Sequence, residues 1–187
     1  MLFQLTEEQQ MIRQAARDFA VNECLPGVIE RDEQQKFPKE QIEKLADLGF
    51  MGMMVKQEYG GSGMDTVSYV LAMEEISKVD ASVSVCMSVN NSLVCYGLQE
   101  YGTEDQKKKY LTPLAQGKKD GQLYIGAFLL SEPEAGSDAT SQRTTAEDKG
   151  DHYLLNGTKN WITNGNSASV YLVIAQTDPA KGSKGIN

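Results

Sequence analysis

A chain of 187 residues, 40% of them hydrophobic, is long enough for one or two domains with a buried core. Its formal net charge of −8 argues against a general nucleic-acid binder, which would carry a basic face. It holds no apolar run of the roughly 20 residues needed to cross a bilayer, so neither nucleic acid nor membrane is expected as a partner.

The first half reads as helices. Residues 1–5 lead straight into a helix cap with no signal or transit peptide, which points to a cytoplasmic protein. Cys24, Cys86 and Cys95 have no metal-ligand spacing and suit a reducing compartment. Thr6 and Gln9 form a capping box, and Met11, Ile12, Ala15, Ala16 and Phe19 then recur at helical spacing. Pro26 ends that helix and 28–32 makes a short second one. Pro38 opens a third, with Ile42, Leu45 and Leu48 on one face and Gly49 as its stop. The Gly-rich stretch 59–63 lacks the Gly-Lys-Ser/Thr ending of a phosphate loop and reads as a connector.

Asp65 or Thr66 caps a helix through Val79, with Tyr69, Val70, Met73 and Ile76 on its buried side. Glu74 and Glu75 are adjacent, so they do not face each other and read as solvated charge. Residues 80–82 cap a long helix over 83–100, in which Cys86, Met87, Asn90 and Asn91 read mainly as packing groups. Thr103 and Gln106 form a second capping box before Lys107, Lys108 and Lys109, an exposed basic face. A last short helix starts at Thr112-Pro113 and ends at Gly117.

From Leu123 the period changes. Strands are expected over 124–130, 141–147, 152–155, 159–163 and 169–176, separated by turns at 148–151, Asn156-Gly157 and Asn164-Gly165. Residues 184–187 read as a turn entering a further strand. This predicts an α+β chain: an all-α bundle, then the first part of an antiparallel β-barrel or sandwich. The only histidine, His152, sits beside a turn as an exposed strand residue. It leaves Ser131 and Ser137 without a base and removes Ser-His-Asp hydrolysis. The Asn-x-Ser/Thr triplets at Asn90 and Asn156 read as chance. Trp161, the only tryptophan, suits core packing by default.

Two stretches alter that reading. One is an apolar run that breaks into Leu130-Ser-Glu-Pro-Glu-Ala-Gly-Ser-Asp138, a loop of small residues and hydroxyls able to present backbone N–H groups to an anion or a polar ring edge. The other is Lys159-Asn-Trp-Ile-Thr-Asn164. Together they resemble the middle domain of the acyl-CoA dehydrogenases, in which a Ser/Thr-Glu-Pro-x-x-Gly-Ser-Asp loop and a Lys-x-Trp-Ile-Thr-Asn strand hold the flavin. Ala72-Met-Glu-Glu-Ile-Ser77, Met87-Ser-Val-Asn-Asn-Ser-Leu93 and Tyr101-Gly-Thr-Glu-Asp-Gln-Lys107 extend the resemblance to short-chain, butyryl-type members over nearly the whole chain. Leu129 departs from it, standing where the family usually has a small residue.

The resemblance implies an N-terminal helical domain over 1–118 and a partial middle domain over 119–187, without the C-terminal helical domain. It assigns Phe128, Leu129, Leu130, Ser131, Gly136, Ser137, Trp161, Ile162 and Thr163 to FAD, with Trp161 packed on the ring and Thr163 donating to its polar edge. It assigns Ser137, Val85, Cys86 and Val89 to the acyl-CoA substrate. The implied activity is oxidation of short-chain acyl-CoA to trans-2-enoyl-CoA in fatty-acid β-oxidation, with electrons passing to an electron-transfer flavoprotein from a homotetrameric parent. The family's catalytic Glu matches no acid here, Glu132 and Asp138 included, so these residues alone are expected to be inactive. An acyl-CoA oxidase or other flavoenzyme of the superfamily, and a non-catalytic acyl-CoA-binding or assembly module, are the alternatives.

Overall fold

The computed structural model describes residues 4–187 and is of mixed α and β class. The chain divides into two compact units, the first ending at Gly126 and the second starting at Ala127.

The first unit holds the helices. α1 (Glu7–Phe19) starts at the expected capping box, with Gln9 N–H donating to the Thr6 hydroxyl at 3.1 Å and Thr6 N–H donating to Gln9 Oε1 at 3.1 Å. It passes into a π-helical turn, Ala20–Cys24, and Gly27 at φ 72° resets the chain for α2 (Val28–Glu33). α3 (Lys39–Asp47) follows Pro38, and Gly49 at φ 76° breaks it. In the connector, a Cβ on Gly61 would lie 2.2 Å from the Val55 carbonyl oxygen, so this glycine serves close packing.

α4 (Thr66–Ser77) is capped by Asp65 and α5 (Ala81–Ser88) by Asp80, each carboxylate accepting the N3 backbone N–H. α5 continues through a π-helical stretch, Val89–Cys95, into α6 (Tyr96–Tyr101). α7 (Glu104–Gln106) and α8 (Thr112–Gln116) are joined by another π turn, and a hairpin of β1 (Lys118–Lys119) and β2 (Gln122–Leu123) follows. Phe19, Ile42, Leu45, Met51, Met53, Ile76 and Met87 form the centre of the core.

Four residues expected on buried faces are exposed, Ala15 among them, one position short of the buried Ala16. Met11 and Val70 lie one position off stripes that bury Ala16, Phe19, Tyr69 and Ile76, and one position turns a helical side chain by about 100°. Leu48 lies past the end of α3.

The π stretch after α5 carries the unit's main polar junction. A π turn advances each residue by a smaller rotation than an α turn, and the adjacent Asn90 and Asn91 are both buried. Asn90 Nδ2 donates to the carbonyls of Met51 (2.8 Å) and Leu114 (3.0 Å), and its Oδ1 accepts Gly126 N–H at 2.9 Å. Asn91 Nδ2 donates to Phe50 (2.8 Å) and Met87 (3.0 Å) carbonyls, and its Oδ1 accepts Met53 N–H at 2.7 Å. Each amide thus satisfies backbone groups that the connector 50–53 cannot pair within itself. An asparagine so enclosed is no glycan acceptor, as expected.

Glu75 corrects the solvated reading. Glu74 is exposed and paired with Lys78, whereas Glu75 is 3% exposed and faces Arg13 (2.8 Å), Arg17 (2.9 Å) and Lys78 (3.1 Å). The hydrogen bond from Arg17 outweighs burial and, with Arg13 and Lys78, holds the carboxyl at about 2 against an ordinary 4.5. A depressed folded value stabilises above the unfolded value and is lost as pH falls through the folded one. The contribution is therefore present above about pH 5 and lost between about 4.5 and about 2. With the arginines half-exposed and screened, it is about 1–2 kcal/mol. Glu75→Gln is expected to flatten the acid limb of a plot of unfolding midpoint against pH, and an unchanged slope would show that Glu75 does not carry this dependence.

In the second unit β3 (Gly126–Leu129), whose first residue closes the first unit, pairs with β6 (Val170–Val173). β4 (Thr145–Asp148) pairs antiparallel with β5 (Tyr153–Asn156), in register from Thr145↔Asn156 to Asp148↔Tyr153. Single bridges join Thr145 to Gln176 and Gln176 to Ile186, and Asn187 exchanges two backbone hydrogen bonds with Ala175. Three strands are shorter than expected, and the stretch at 139–141 is a 3-10 turn. The expected strand at 159–163 is absent, because Trp161 (φ 59°) and Asn164 (φ 65°) take left-handed backbone that a pleated strand cannot accommodate.

Candidate functional site

The loop after β3 is built from its own backbone. Phe128 and Leu129 end the strand half-buried, and Leu130 and Ser131 follow. Glu132 and Ala135 then exchange N–H···O bonds at 3.0 and 3.2 Å, which throws Pro133 and Glu134 outward as the tip. Gly136, Ser137 and Asp138 come next, all exposed. A Cβ on Gly136 would meet nothing within 4 Å, so this side of the loop is open. Asp138 accepts the hydroxyls of Thr140 (2.7 Å) and Ser141 (2.5 Å), which lower its carboxyl from the usual range.

A buried ion pair ties this loop to the second motif. The Glu132 carboxylate accepts Arg143 N–H at 2.5 Å, Thr144 N–H at 3.0 Å and the Lys159 ammonium at 2.8 Å. The two side chains are 2% and 7% exposed. Burial alone would raise the Glu132 carboxyl, but these three donors overcome it and hold it at about 2. Lys159 also donates to the Leu130 carbonyl (3.0 Å) and to Gln142 Oε1 (3.1 Å), so its three protons are all engaged. Asn160 N–H donates to the Ser131 carbonyl at 2.8 Å. The two motifs are thus brought together side by side.

Trp161 follows at once. Its side chain is 93% exposed, so the core-packing alternative fails. Beyond it Ile162 and Thr163 are half-buried, Gly165 N–H donates to the Ile162 carbonyl (3.0 Å), and the Asn164 carbonyl accepts from Ser167 and Ala168. Ser131, Ser137 and Thr163 hydroxyls have no partner among the described residues, and neither does the Gly136 N–H. An exposed indole beside a set of small-residue donors suits a planar heteroaromatic ring with polar edges, the chemistry of a flavin.

The residues assigned to the acyl chain lie in the first unit. Val85 and Val89 are one turn apart on the same face, 45% exposed and half-buried respectively. Cys86 is turned into the core beside Met87, and burial pushes its thiol up to about 12. His152 is exposed beside Asp151, just before β5. Among the described residues no group of His, Cys, Asp and Glu could hold a metal ion, and no helix is long and apolar enough to cross a membrane.

Sequence reasoning missed Glu132 and Lys159 as a structural pair. The available signal was a carboxylate and an ammonium in the two motifs, each flanked by residues too small or too turn-prone to bury it by themselves.

The family model for the acyl-CoA dehydrogenase N-terminal domain matches residues 6–118, and that for the acyl-CoA dehydrogenase middle domain matches 127–187. The chain is 47% identical over 185 residues to the short-chain specific acyl-CoA dehydrogenase of Clostridium acetobutylicum, covering 99% of this chain and 48% of that protein. The solved butyryl-CoA dehydrogenase of Megasphaera elsdenii superposes with a TM-score of 0.92 at 44% identity, over 100% of this chain and 48% of that one. A glutaryl-CoA dehydrogenase of Mycobacterium smegmatis, solved in complex with FADH2, superposes with a TM-score of 0.86 at 38% identity, over 93% and 44% of the two chains. The chain spans less than half the length of these relatives. Matches to both domain models, in order and over most of its length, show that the chain belongs to the acyl-CoA dehydrogenase family.

Proposed function

We propose that this chain supplies the N-terminal helical domain (1–118) and the first part of the flavin-holding middle domain (119–187) of a short-chain acyl-CoA dehydrogenase. The reaction is oxidation of a short-chain acyl-CoA to its trans-2-enoyl-CoA. The observation that carries this reading is the exposed Trp161 directly after Lys159 and Asn160, which bond to Leu130, Ser131 and Glu132 of the facing loop. When bound, FAD supplies the acceptor for the hydride from the substrate β-carbon.

The chain's own residues bind and orient. The 128–137 backbone and the Ser131, Ser137 and Thr163 hydroxyls hold the ring's polar edge, and Trp161 covers its face. Ser137 also contacts the thioester region, and Val85 and Val89 wall the acyl chain, with Cys86 packed in the core instead. Donors fixed on the thioester acidify the α-proton. The base that removes it lies outside these residues. Glu132 is occupied by three donors and too weakly basic at about 2, and Asp138 is engaged by Thr140 and Ser141. Electrons pass to an electron-transfer flavoprotein, and the assembly is a homotetramer, as the family resemblance implies.

The test is turnover of butyryl-CoA by the full-length protein, with electron-transfer flavoprotein or oxygen as acceptor. Faster turnover of butyryl-CoA than of longer acyl-CoAs, with the flavoprotein as acceptor, is expected. Efficient turnover with oxygen would assign an oxidase, and acyl-CoA binding without flavin would assign a non-catalytic module.

A further inference from the structure

Trp161 is large, apolar and 93% exposed, yet its backbone sits at φ 59°. A non-glycine residue persists in that region only when its surroundings over-determine it. So exposed an indole cannot supply the constraint by its own packing. The constraint must come through the chain on either side.

On the N-terminal side it is unusually strong. Two residues earlier Lys159 is 7% exposed, with its three protons on Leu130 O, Glu132 Oε1 and Gln142 Oε1. Glu132 is itself pinned by the backbone of Arg143 and Thr144, and Gln142 Nε2 donates to Ala139 O at 2.9 Å. One residue earlier, Asn160 N–H is bonded to Ser131 O. On the C-terminal side the turn at 162–165 closes at once, and the Tyr171 hydroxyl donates to the Gly165 carbonyl at 2.9 Å. Trp161 is the short span between two fixed ends.

We propose that Glu132 and Lys159 are positioning residues: their buried pair locks the backbone that presents Trp161 as a preset aromatic platform. Neither needs to touch the ring ligand. The pair acts through Lys159 on the next two residues, and through Leu130 and Ser131 on the donors of the facing loop, so that indole and donors keep a fixed separation. That the platform serves a flavin rests on the function proposed above. That the pair holds the indole does not.

Because Trp161 is the only tryptophan of these 187 residues, the fluorescence anisotropy of the flavin-free 187-residue chain reports this site alone. In the flavin-free protein, Lys159→Met is expected to lower the anisotropy and to abolish the indole's near-ultraviolet circular dichroism, with Lys159→Arg keeping most of both. In the flavin-loaded full-length protein, Lys159→Met is expected to weaken FAD binding about tenfold, as loss of a ligand-orienting residue typically does. If Lys159→Met does not fold, Gln142→Leu removes one of the three acceptors and is expected to lower the anisotropy by a smaller amount. A folded Lys159→Met, or in its place a folded Gln142→Leu, with wild-type anisotropy would overturn the proposal. Loss of anisotropy in a protein whose wild type binds no FAD would leave the positioning role standing and remove the flavin reading instead.

Discussion

Asn90→Ala is expected to lower the unfolding free energy of the first unit by about 3–5 kcal/mol. The substitution strands the Met51 carbonyl, removes one of the two donors to the Leu114 carbonyl, which keeps the Gly117 N–H, and breaks the bond from Gly126 N–H, all at a position with no solvent exposure. Each buried group left unsatisfied costs about 1–3 kcal/mol, and the lost side chain adds a cavity. Partial relaxation keeps the total below the simple sum. Asn90→Asp should be worse, because a carboxylate oxygen in place of Nδ2 would face both the Met51 and the Leu114 carbonyl oxygens. Urea unfolding checks this, and a loss under about 1 kcal/mol would mean that water or rearranged backbone replaces the amide.

Glu132→Ala should have a comparable effect confined to the second unit, about 3–5 kcal/mol. It leaves the Lys159 ammonium, 7% exposed, without its countercharge and removes the acceptor of Arg143 and Thr144 N–H. Coupling is the sharper signature. Adding Lys159→Met to Glu132→Ala removes the stranded charge, so the double variant should be less destabilised than the sum of the two single ones. Hydrogen exchange at 143–144 and 159–160 should quicken in Glu132→Ala while the first unit keeps its protection. Strict additivity, or uniform loss of protection in both units, would contradict a local clamp.

Much of the first unit was legible in the chain because local chemistry dictates it. Thr6, Asp65, Asp80 and Thr103 cap helices through bonds spanning three residues, and Gly49 and Gly117 end helices with left-handed backbone that glycine accepts. What local pattern misses is set at long range. Glu75 looks like any surface carboxylate until α1 brings Arg13 and Arg17, 62 and 58 residues away in sequence, against it. The inward pair Asn90–Asn91 depends on a π stretch that helical periodicity does not foresee. In the second unit Lys159-Asn-Trp-Ile-Thr has the composition of a strand, but the clamp on Lys159 and the turn at Asn164-Gly165 override it.

The site was legible in a different sense. The motif resemblance marked both loops, and the structure places them side by side through Lys159 and Asn160. Neither composition nor periodicity would have shown that Trp161 faces out, since a lone tryptophan is ordinarily a core residue.

The most direct measurement is titration of the flavin-free full-length protein and its Trp161→Phe variant with FAD, following the tryptophan emission that the two differ by, which is that of Trp161, and the visible flavin absorbance together. Saturable quenching of Trp161 at one FAD per chain, with a bound flavin band bleached by butyryl-CoA under anaerobic conditions, is the expected result. Unchanged Trp161 emission at saturating FAD would contradict the assignment of these two loops to the flavin.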